Sequence, residues 1–222
     1  MNFNKNIVTS FYQEIEKDKY HRYKSWEHCF IAFQKEKDID TLSLHLGFYL
    51  ASWGMYRGSS GLLQKDYKIH IPAVEILIKP EYKKLRCYNN DISENDIELV
   101  IKLKKELYEH YNRIEFTRKE DGLRINPTDT LLTKIILGTL GCIPAYDRFF
   151  KLGLSEYEIC QQANKKSMKE LFKFVKSGNN ERLIKEVQND LVKKKVFYPT
   201  MKILDMYFWS IGYKIDLERH SK

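Results

Sequence analysis

The length, composition and charge of the chain are those of a folded, basic protein. It has 222 residues, of which 43% are hydrophobic and 14% aromatic, more than a disordered chain carries. Its N-terminus is too polar for a signal peptide and no apolar run approaches the roughly 20 residues that cross a bilayer, so we expect a cytoplasmic protein without membrane contact. The net charge of +8 favours nucleic acid as a partner, although lysines on helix faces are also typical of a solvated surface.

In the first half of the chain, apolar residues recur at helical spacing. Asp40 is predicted to cap a helix that ends in the glycine-rich stretch "WGMYRGSSG". A short helix is expected from Pro72, and a long charged helix is expected from Ser93. The stretch "TRKEDGLRINP" contains Gly122, Asn126 and Pro127 and predicts a loop.

Sequence signals in the second half of the chain predict five further helices. Thr128 opens the first, which runs to about Leu140 and is ended by Gly141. Pro144 fits the first turn of the next helix, because its missing N–H has no intrahelical partner there. Ser155 and Glu158 have the spacing of a capping box and predict a helix to Gly178. The last two helices are expected from Glu181 to about Lys195 and from Pro199 to about Gly212.

The chain as a whole is therefore predicted to be all-α. We expect one compact domain of about ten helices over residues 1–222, with candidate lobes at 1–120 and 121–222 and no sheet of three or more strands. The four cysteines lie far apart, without CxxC or Cys/His ligand spacing. They are expected to be reduced, mostly buried thiols, and neither a metal nor a cofactor is predicted.

The stretch "LASWGMYRGSSGLL" breaks a helical pattern and is the first candidate site. One interpretation is that Gly54 and Gly58 seat one helix closely against another. The other is that Arg57, Ser59 and Ser60 surround freed backbone N–H groups at a helix start, an arrangement that suits a phosphate. We expect residues 54–61 to line the same cleft as residues 144–148.

The stretch "GTLGCIPAYDRFFKLGL" is the second candidate site. Asp147 follows Pro144 by three residues within an otherwise apolar run, close to a predicted helix start. A helix N-terminus favours an ionised carboxylate, so this residue can serve in chemistry. It can equally be a cap, or the partner of Arg148.

The second stretch resembles the segment that follows the hairpin in helix-hairpin-helix DNA glycosylases. From Asn126 to Leu154 the shared order is an apolar helix, a glycine, a proline, an aspartate and a basic-apolar helix that ends in "LGL". The family has a proline-valine-aspartate triplet with a catalytic aspartate, and "PAYD" holds one more residue than that triplet. Two other stretches, "LHLGFYLASWGMYRGSS" and "KILDMYFWSIGY", resemble a family of uncharacterised bacterial proteins, which implies no chemistry.

The glycosylase resemblance implies the family's fold and the cleavage of an N-glycosidic bond on a base extruded from DNA. Asp147 then stabilises the positive charge that develops on the sugar. Lys134, if it faces that carboxylate, is the candidate nucleophile.

The same resemblance assigns candidate nucleic-acid contacts around these two residues. Arg57 and Arg148 are expected to hold phosphates. Trp53 or Tyr146 is expected to stack on the extruded base.

Two alternatives remain open. One is a non-enzymatic helical protein that binds nucleic acid or a partner, with Asp147 and Arg148 as a structural pair. The other is an enzyme that acts on a small phosphorylated molecule at the turn from Arg57 to Ser60. A glycosylase requires Asp147 to be exposed in a basic cleft, whereas the structural interpretation requires it to be buried against its own helix or Arg148.

Overall fold

A computed structural model describes residues 2–35, 37–57, 61–118, 121–192 and 196–220. These residues form ten α-helices and one β-hairpin, which confirms the all-α prediction. The helices are α1 (Lys5–Glu16), α2 (Ser25–Lys35), α3 (Ile39–Ser52), α4 (Ile71–Leu77), α5 (Ile97–Asn112), α6 (Asp129–Thr139), α7 (Arg148–Ser155), α8 (Lys165–Lys176), α9 (Asn180–Val192) and α10 (Thr200–His220). Short 3-10 helices lie at Arg22–Lys24, Leu62–Gln64, Tyr67–His70, Pro80–Leu85 and Glu94–Asp96. Within this part of the chain, no helix has both the length and the apolar character that crossing a bilayer requires.

Capping residues position several of these helices as the sequence predicts. Thr128 begins α6, and its hydroxyl accepts a hydrogen bond from the backbone N–H of Leu131 at 3.3 Å. Gly141 follows that helix with a φ of 74°, a left-handed conformation that glycine adopts without strain. The helix that Asp40 was expected to cap begins two residues earlier, because the side chain of Asp38 accepts from the N–H of Thr41.

Two of the predicted helix starts are wrong. The helix after Pro144 begins at Arg148, because Asp147 is extended and its side chain forms the N-cap. Ser155 ends α7 instead of starting a helix, and Glu158 has a φ of 56°, which no α-helix accommodates. The next helix, α8, begins only after Asn164, whose side chain accepts from the N–H of Ser167.

The segment predicted as a loop after α5 contains the hairpin. Strand β1 (Glu115–Arg118) pairs antiparallel with β2 (Asp121–Arg124). Phe116 lies opposite Leu123 in this register. Four residues per strand are too few to show the alternation by which strands are recognised in a sequence.

The core is continuous from the N-terminal helix to the C-terminal one, with buried hydrophobic residues from Phe3 to Phe208 in one cluster. Its tightest crossing joins α7 and α10. A Cβ atom on Gly153 would lie 1.9 Å from the carbonyl oxygen of Phe208, and one on Gly212 would lie 1.9 Å from that of Phe149. The crossing therefore holds the first turn of α7 beside Gly212, in the second half of α10, and the last turn of α7 beside Phe208.

Candidate functional site

Lys134 and Asp147, the two predicted catalytic residues, form an ion pair. Lys134 lies on α6, and its Nζ donates to Oδ2 of Asp147 at 2.9 Å. Their side chains are only 4% and 14% exposed. The other carboxylate oxygen, Oδ1, accepts from the backbone N–H of Phe150 at 3.1 Å. Asp147 is thus both the N-cap of α7 and the partner of a buried ammonium, which is the burial against its own helix that the structural interpretation requires and not the exposure in a basic cleft that a glycosylase requires.

Trp53 and Gly54 end α3 in a Schellman motif. The N–H of Met55 donates to the carbonyl of Leu50 at 2.9 Å, and the N–H of Gly54 donates to that of Ala51 at 2.9 Å. Gly54 has a φ of 71°, and no atom of the described residues lies within 4 Å of a Cβ placed on it. The close-packing interpretation of this glycine is therefore wrong, and the residue serves the turn.

The indole ring of Trp53 lies against Lys134. The Nζ of Lys134 is 4.4 Å from the ring centroid, a cation–π distance. The ring of Tyr23 stacks on the same indole with a centroid distance of 4.4 Å and an interplanar angle of 10°. The indole Nε1 is buried and has no acceptor among the described residues. Trp53 therefore connects the first candidate stretch to the ion pair of the second.

A second buried ion pair, which sequence reasoning missed, faces the same tryptophan. Lys202 and Asp205 lie one turn apart on α10, with Nζ and Oδ2 at 2.8 Å and side chains 6% and 7% exposed. The Nζ of Lys202 is 5.6 Å from the ring centroid of Trp53 and 5.1 Å from that of Trp26. Oδ1 of Asp205 accepts from the N–H of Ala145 at 3.0 Å. The signal was present as two opposite charges within the apolar run "MKILDMYFW".

These residues form the ionic cluster, which consists of Trp53, Lys134, Asp147, Lys202 and Asp205. Both aspartates are hydrogen-bonded in the same way: one carboxylate oxygen accepts from a backbone N–H, and the other accepts from the ammonium group of a lysine. Burial raises the pKa of the neighbouring Tyr49 well above its usual range, and the negative charges of Asp205 and Asp147 add to this shift. Tyr49 therefore stays neutral beside the cluster.

Arg148 does not pair with Asp147. It is 67% exposed and forms an ion pair with Asp216 on α10. Its guanidinium also lies over the ring of Phe149 at 5.3 Å. The proposed structural pair of Asp147 and Arg148 is therefore wrong, because the partner of the aspartate is Lys134.

Tyr146 lies in the core and not at a surface. Its side chain is fully buried, and its hydroxyl is 2.7 Å from that of Ser167. Its backbone N–H donates to the hydroxyl of Thr133 at 2.9 Å. The ring has no exposed face on which a base could stack.

The predicted phosphate turn is described only in part. Arg57 is exposed, while Ser59 and Ser60 lie outside the described residues, as does Gly58. The expectation of a shared cleft therefore stays a prediction for that turn. Trp53, at the end of α3, is the part of this region that reaches the ionic cluster.

Tyr56, three residues after Trp53, begins a second polar network, which we call the neutral chain. Its hydroxyl is 2.7 Å from Nε2 of His70, and Nδ1 of His70 is 2.6 Å from the hydroxyl of Tyr111. Burial lowers the pKa of His70 to about 3, with a smaller contribution from the charge of His110. The imidazole is therefore neutral near pH 7.

Part of the basic charge of the chain is balanced locally. Lys165 on α8 lies 2.6 Å from Glu98, and Lys176 lies 3.8 Å from Glu94. Lysines in such pairs are typical of a solvated helix face. In the described part of the chain, no group of three or more His, Cys, Asp or Glu side chains is placed to hold a metal ion.

Comparison of the chain with protein-family models, with curated proteins and with solved structures found no match. Function is therefore inferred from the ionic cluster itself.

Proposed function

We propose that the chain binds nucleic acid and that Lys134 and Asp147 form a base-excision centre like that of helix-hairpin-helix DNA glycosylases. The contact of 2.9 Å between the amine of Lys134 and the carboxylate of Asp147 carries this proposal. A nucleophilic amine beside an ionised carboxylate is the pair that N-glycosidic bond cleavage through a covalent intermediate requires. The basic net charge is consistent with a polyanionic partner.

In the proposed reaction, the electron pair of the Lys134 amine forms a bond to C1′ of the sugar. The bond from C1′ to the base breaks, and its electrons leave with the base, which takes up a proton from solvent. The amine first loses its proton to solvent, so Asp147 stays ionised and stabilises the positive charge that develops on the sugar. The nitrogen, now bonded to C1′, loses a proton to solvent; the C1′–O4′ bond then breaks, O4′ keeps its electrons and takes up a proton, and a protonated imine between C1′ and Lys134 remains.

Access to the amine requires a movement of aromatic rings. Lys134 is 4% exposed and lies against Trp53, which is itself covered by the stacked ring of Tyr23. We expect Trp53 to turn away from the lysine and to stack on the extruded base.

The test is excision from a panel of oligonucleotides with damaged bases, together with borohydride trapping of the imine on an abasic site. Asp147→Asn keeps the cap of α7 but removes the charge, and we expect it to lower the excision rate by about 10²-fold or more. Lys134→Met should abolish trapping. Glu106→Gln is the matched control. Glu106 accepts a hydrogen bond of 2.8 Å from Lys79, and neither residue belongs to the ionic cluster.

Nucleic-acid binding is tested separately by titration with single- and double-stranded DNA and RNA over a salt series. Phosphate neutralisation predicts that the logarithm of the binding constant falls linearly with the logarithm of the salt concentration. Binding that is insensitive to salt would contradict the nucleic-acid proposal.

A non-enzymatic protein is the second candidate, and one observation favours it. Asp147 is 14% exposed, caps its own helix and has both oxygens engaged, as a structural carboxylate would. The double variant Lys134→Met/Asp147→Asn keeps the cap while it removes both charges. If the wild-type protein excises nothing and this variant binds nucleic acid normally, the enzymatic proposal should be dropped.

A further inference from the structure

Every exposed residue of α8 is a lysine. These residues, which we call the lysine face, are Lys165, Lys166, Lys169, Lys173 and Lys176. From Lys166 onward they recur at intervals of three or four residues, so they form a stripe about 15 Å long on one side of the helix. The helices that contact α8, α5 and α9, expose acidic as well as basic residues. The lysine face is therefore a local concentration of positive charge.

The middle of the lysine face has no acidic partner in the described part of the chain. Lys169 and Lys173 form no ion pair with a described carboxylate, while the other three lysines each lie within 4.0 Å of a glutamate. The side chains of those three are at least half exposed, and exposed ion pairs are weak and screened by salt. Their ammonium groups can therefore exchange a carboxylate for another anion.

The surroundings of the lysine face favour nucleic acid over a membrane or a protein as its partner. The apolar side of α8 lies in the core, where it contributes Met168, Leu171 and Phe174, so it is not free to enter a bilayer as an amphipathic surface helix does. A stable protein interface has an apolar centre, and the lysine face has none. The phosphates of a nucleic acid instead supply a dense, regular negative charge.

The residue types on the face also indicate the form of the nucleic acid. Proteins bind single strands by stacking bases on aromatic rings, and α8 exposes no aromatic ring. Bidentate contacts to base edges come chiefly from arginine, asparagine and glutamine, whereas a lysine ammonium is a compact charge that suits a phosphate. The face is therefore suited to the backbone of a duplex.

We propose that the lysine face docks on the phosphate backbone of double-stranded nucleic acid without reading its sequence. This inference deepens the proposed function by naming the surface that holds the nucleic acid. It rests on the nucleic-acid part of that proposal and does not require excision, since Lys134 and Asp147 lie on other elements of the fold.

The test is a titration of the full chain with labelled duplexes of DNA and of RNA over a salt series. Lys169→Gln/Lys173→Gln removes two exposed charges that have no described acidic partner, so the urea midpoint should not change. We expect duplex binding to weaken by about tenfold or more near 0.1 M salt. The slope of the logarithm of the binding constant against that of the salt concentration should fall by about two, one for each lost phosphate contact.

Lys17→Gln/Lys214→Gln is the matched control. It removes the same amount of charge from two exposed lysines outside α8, each of which lies near a glutamate of its own segment. We expect it to weaken binding by about twofold or less, because distant charges are screened. Two undamaged DNA duplexes of unrelated sequence should bind the wild type with the same affinity.

Equal losses in the two double variants would overturn the lysine face, because binding would then follow net charge alone. Wild-type affinity in Lys169→Gln/Lys173→Gln would also overturn it, while nucleic-acid binding itself would stand. A strong preference of the wild type for one duplex sequence would contradict contact with phosphates alone. Tighter binding to vesicles of phosphatidylcholine and phosphatidylserine than to either duplex would identify a membrane as the partner and overturn the proposal.

Two further results separate the lysine face from the proposed function. A wild-type protein that binds neither duplex would overturn both the lysine face and the nucleic-acid proposal. Loss of duplex binding in Lys169→Gln/Lys173→Gln, together with no excision by the wild type, supports the lysine face and contradicts the base-excision centre.

Discussion

The ionic cluster and the neutral chain each include a residue that flanks Gly54 in the sequence, Trp53 in the first and Tyr56 in the second, and they differ in how completely their hydrogen-bond donors are paired. In the neutral chain, His70 uses both ring nitrogens on the hydroxyls of Tyr56 and Tyr111. In the ionic cluster, two buried ammonium groups and the indole N–H of Trp53 have donors to spare. A polar network whose central residue is fully paired stabilises the fold, whereas buried charges depend on each partner that they have.

The largest effect is expected where a buried charge loses its partner. Lys134→Met leaves the carboxylate of Asp147 buried with one backbone N–H, and we expect a loss of about 3–5 kcal/mol in the free energy of unfolding. Urea unfolding followed by circular dichroism measures it. If the loss is below about 1 kcal/mol, the pair behaves like a surface ion pair and the contrast with the neutral chain is lost.

The double variant Lys134→Met/Asp147→Asn sharpens this result. It leaves no charge unpaired and retains a side chain that caps α7, so most of the lost stability should return. A double variant no more stable than Lys134→Met alone would show that the lysine acts through packing and not through its charge.

A substitution in the neutral chain should lower the free energy of unfolding by less than Lys134→Met does in the ionic cluster. His70→Phe removes both hydrogen bonds of the imidazole and leaves the buried hydroxyl of Tyr111 without its partner, so a loss of about 2 kcal/mol is expected. The same urea titration measures it. Tyr56→Phe is the comparison, since it removes one of the two hydrogen bonds and leaves only Nε2 of His70 without its partner, so a smaller loss of about 1 kcal/mol is expected.

The pH dependence of stability separates the two networks further. The pKa of His70 falls from 6.5 to about 3 on folding, so between these values the unfolded chain binds a proton that the folded chain does not. Stability should therefore fall by about 1.4 kcal/mol per pH unit as the pH drops below 6.5. His110 has a lowered pKa and adds to the fall in the same direction.

Unfolding at pH 7.5, 6.5 and 5.5 in wild type and in His70→Gln checks this prediction. The variant should show a clearly shallower decline. Parallel declines in the two proteins would mean that His70 already carries a proton in the folded state.

The smallest effect is expected at the glycine between the two networks. Gly54→Ala forces a side chain into a left-handed conformation at a φ of 71°, at a position where the described part of the chain leaves its Cβ without a neighbour within 4 Å. The cost is therefore that of the backbone alone, about 1 kcal/mol. Thermal unfolding measures it, and a larger loss would show that the turn couples the two networks.

Local signals predicted much of the fold. Thr128 and Gly141 mark the ends of α6, because capping and left-handed turns depend on residues adjacent in the chain. Pro144 and Ser155 led to wrong helix starts, because proline and serine also occur in loops and at helix ends. The helix after Pro144 begins only at Arg148, since the side chain of Asp147 forms its N-cap.

The candidate site could be predicted only in part, because it is assembled from helices far apart in sequence. Asp147 and Lys134 were found through the pattern of one segment, and the structure brings them into contact. The face that Lys202 and Asp205 present to Trp53 depends on how α10 packs, which no local pattern specifies. Their opposite charges within an apolar run were nevertheless visible in the sequence.

The glycine crossing of α7 and α10 has a mechanical consequence. Each helix has a backbone carbonyl where the other would need room for a side chain, so neither can slide past its neighbour by a residue. We therefore expect the two helices to move together as one rigid unit. Because α10 is 21 residues long, it extends about 30 Å from Thr200 beside the ionic cluster to His220. We therefore expect Asp147, at the start of α7, and Asp205, on α10, to keep their relative position when either helix moves.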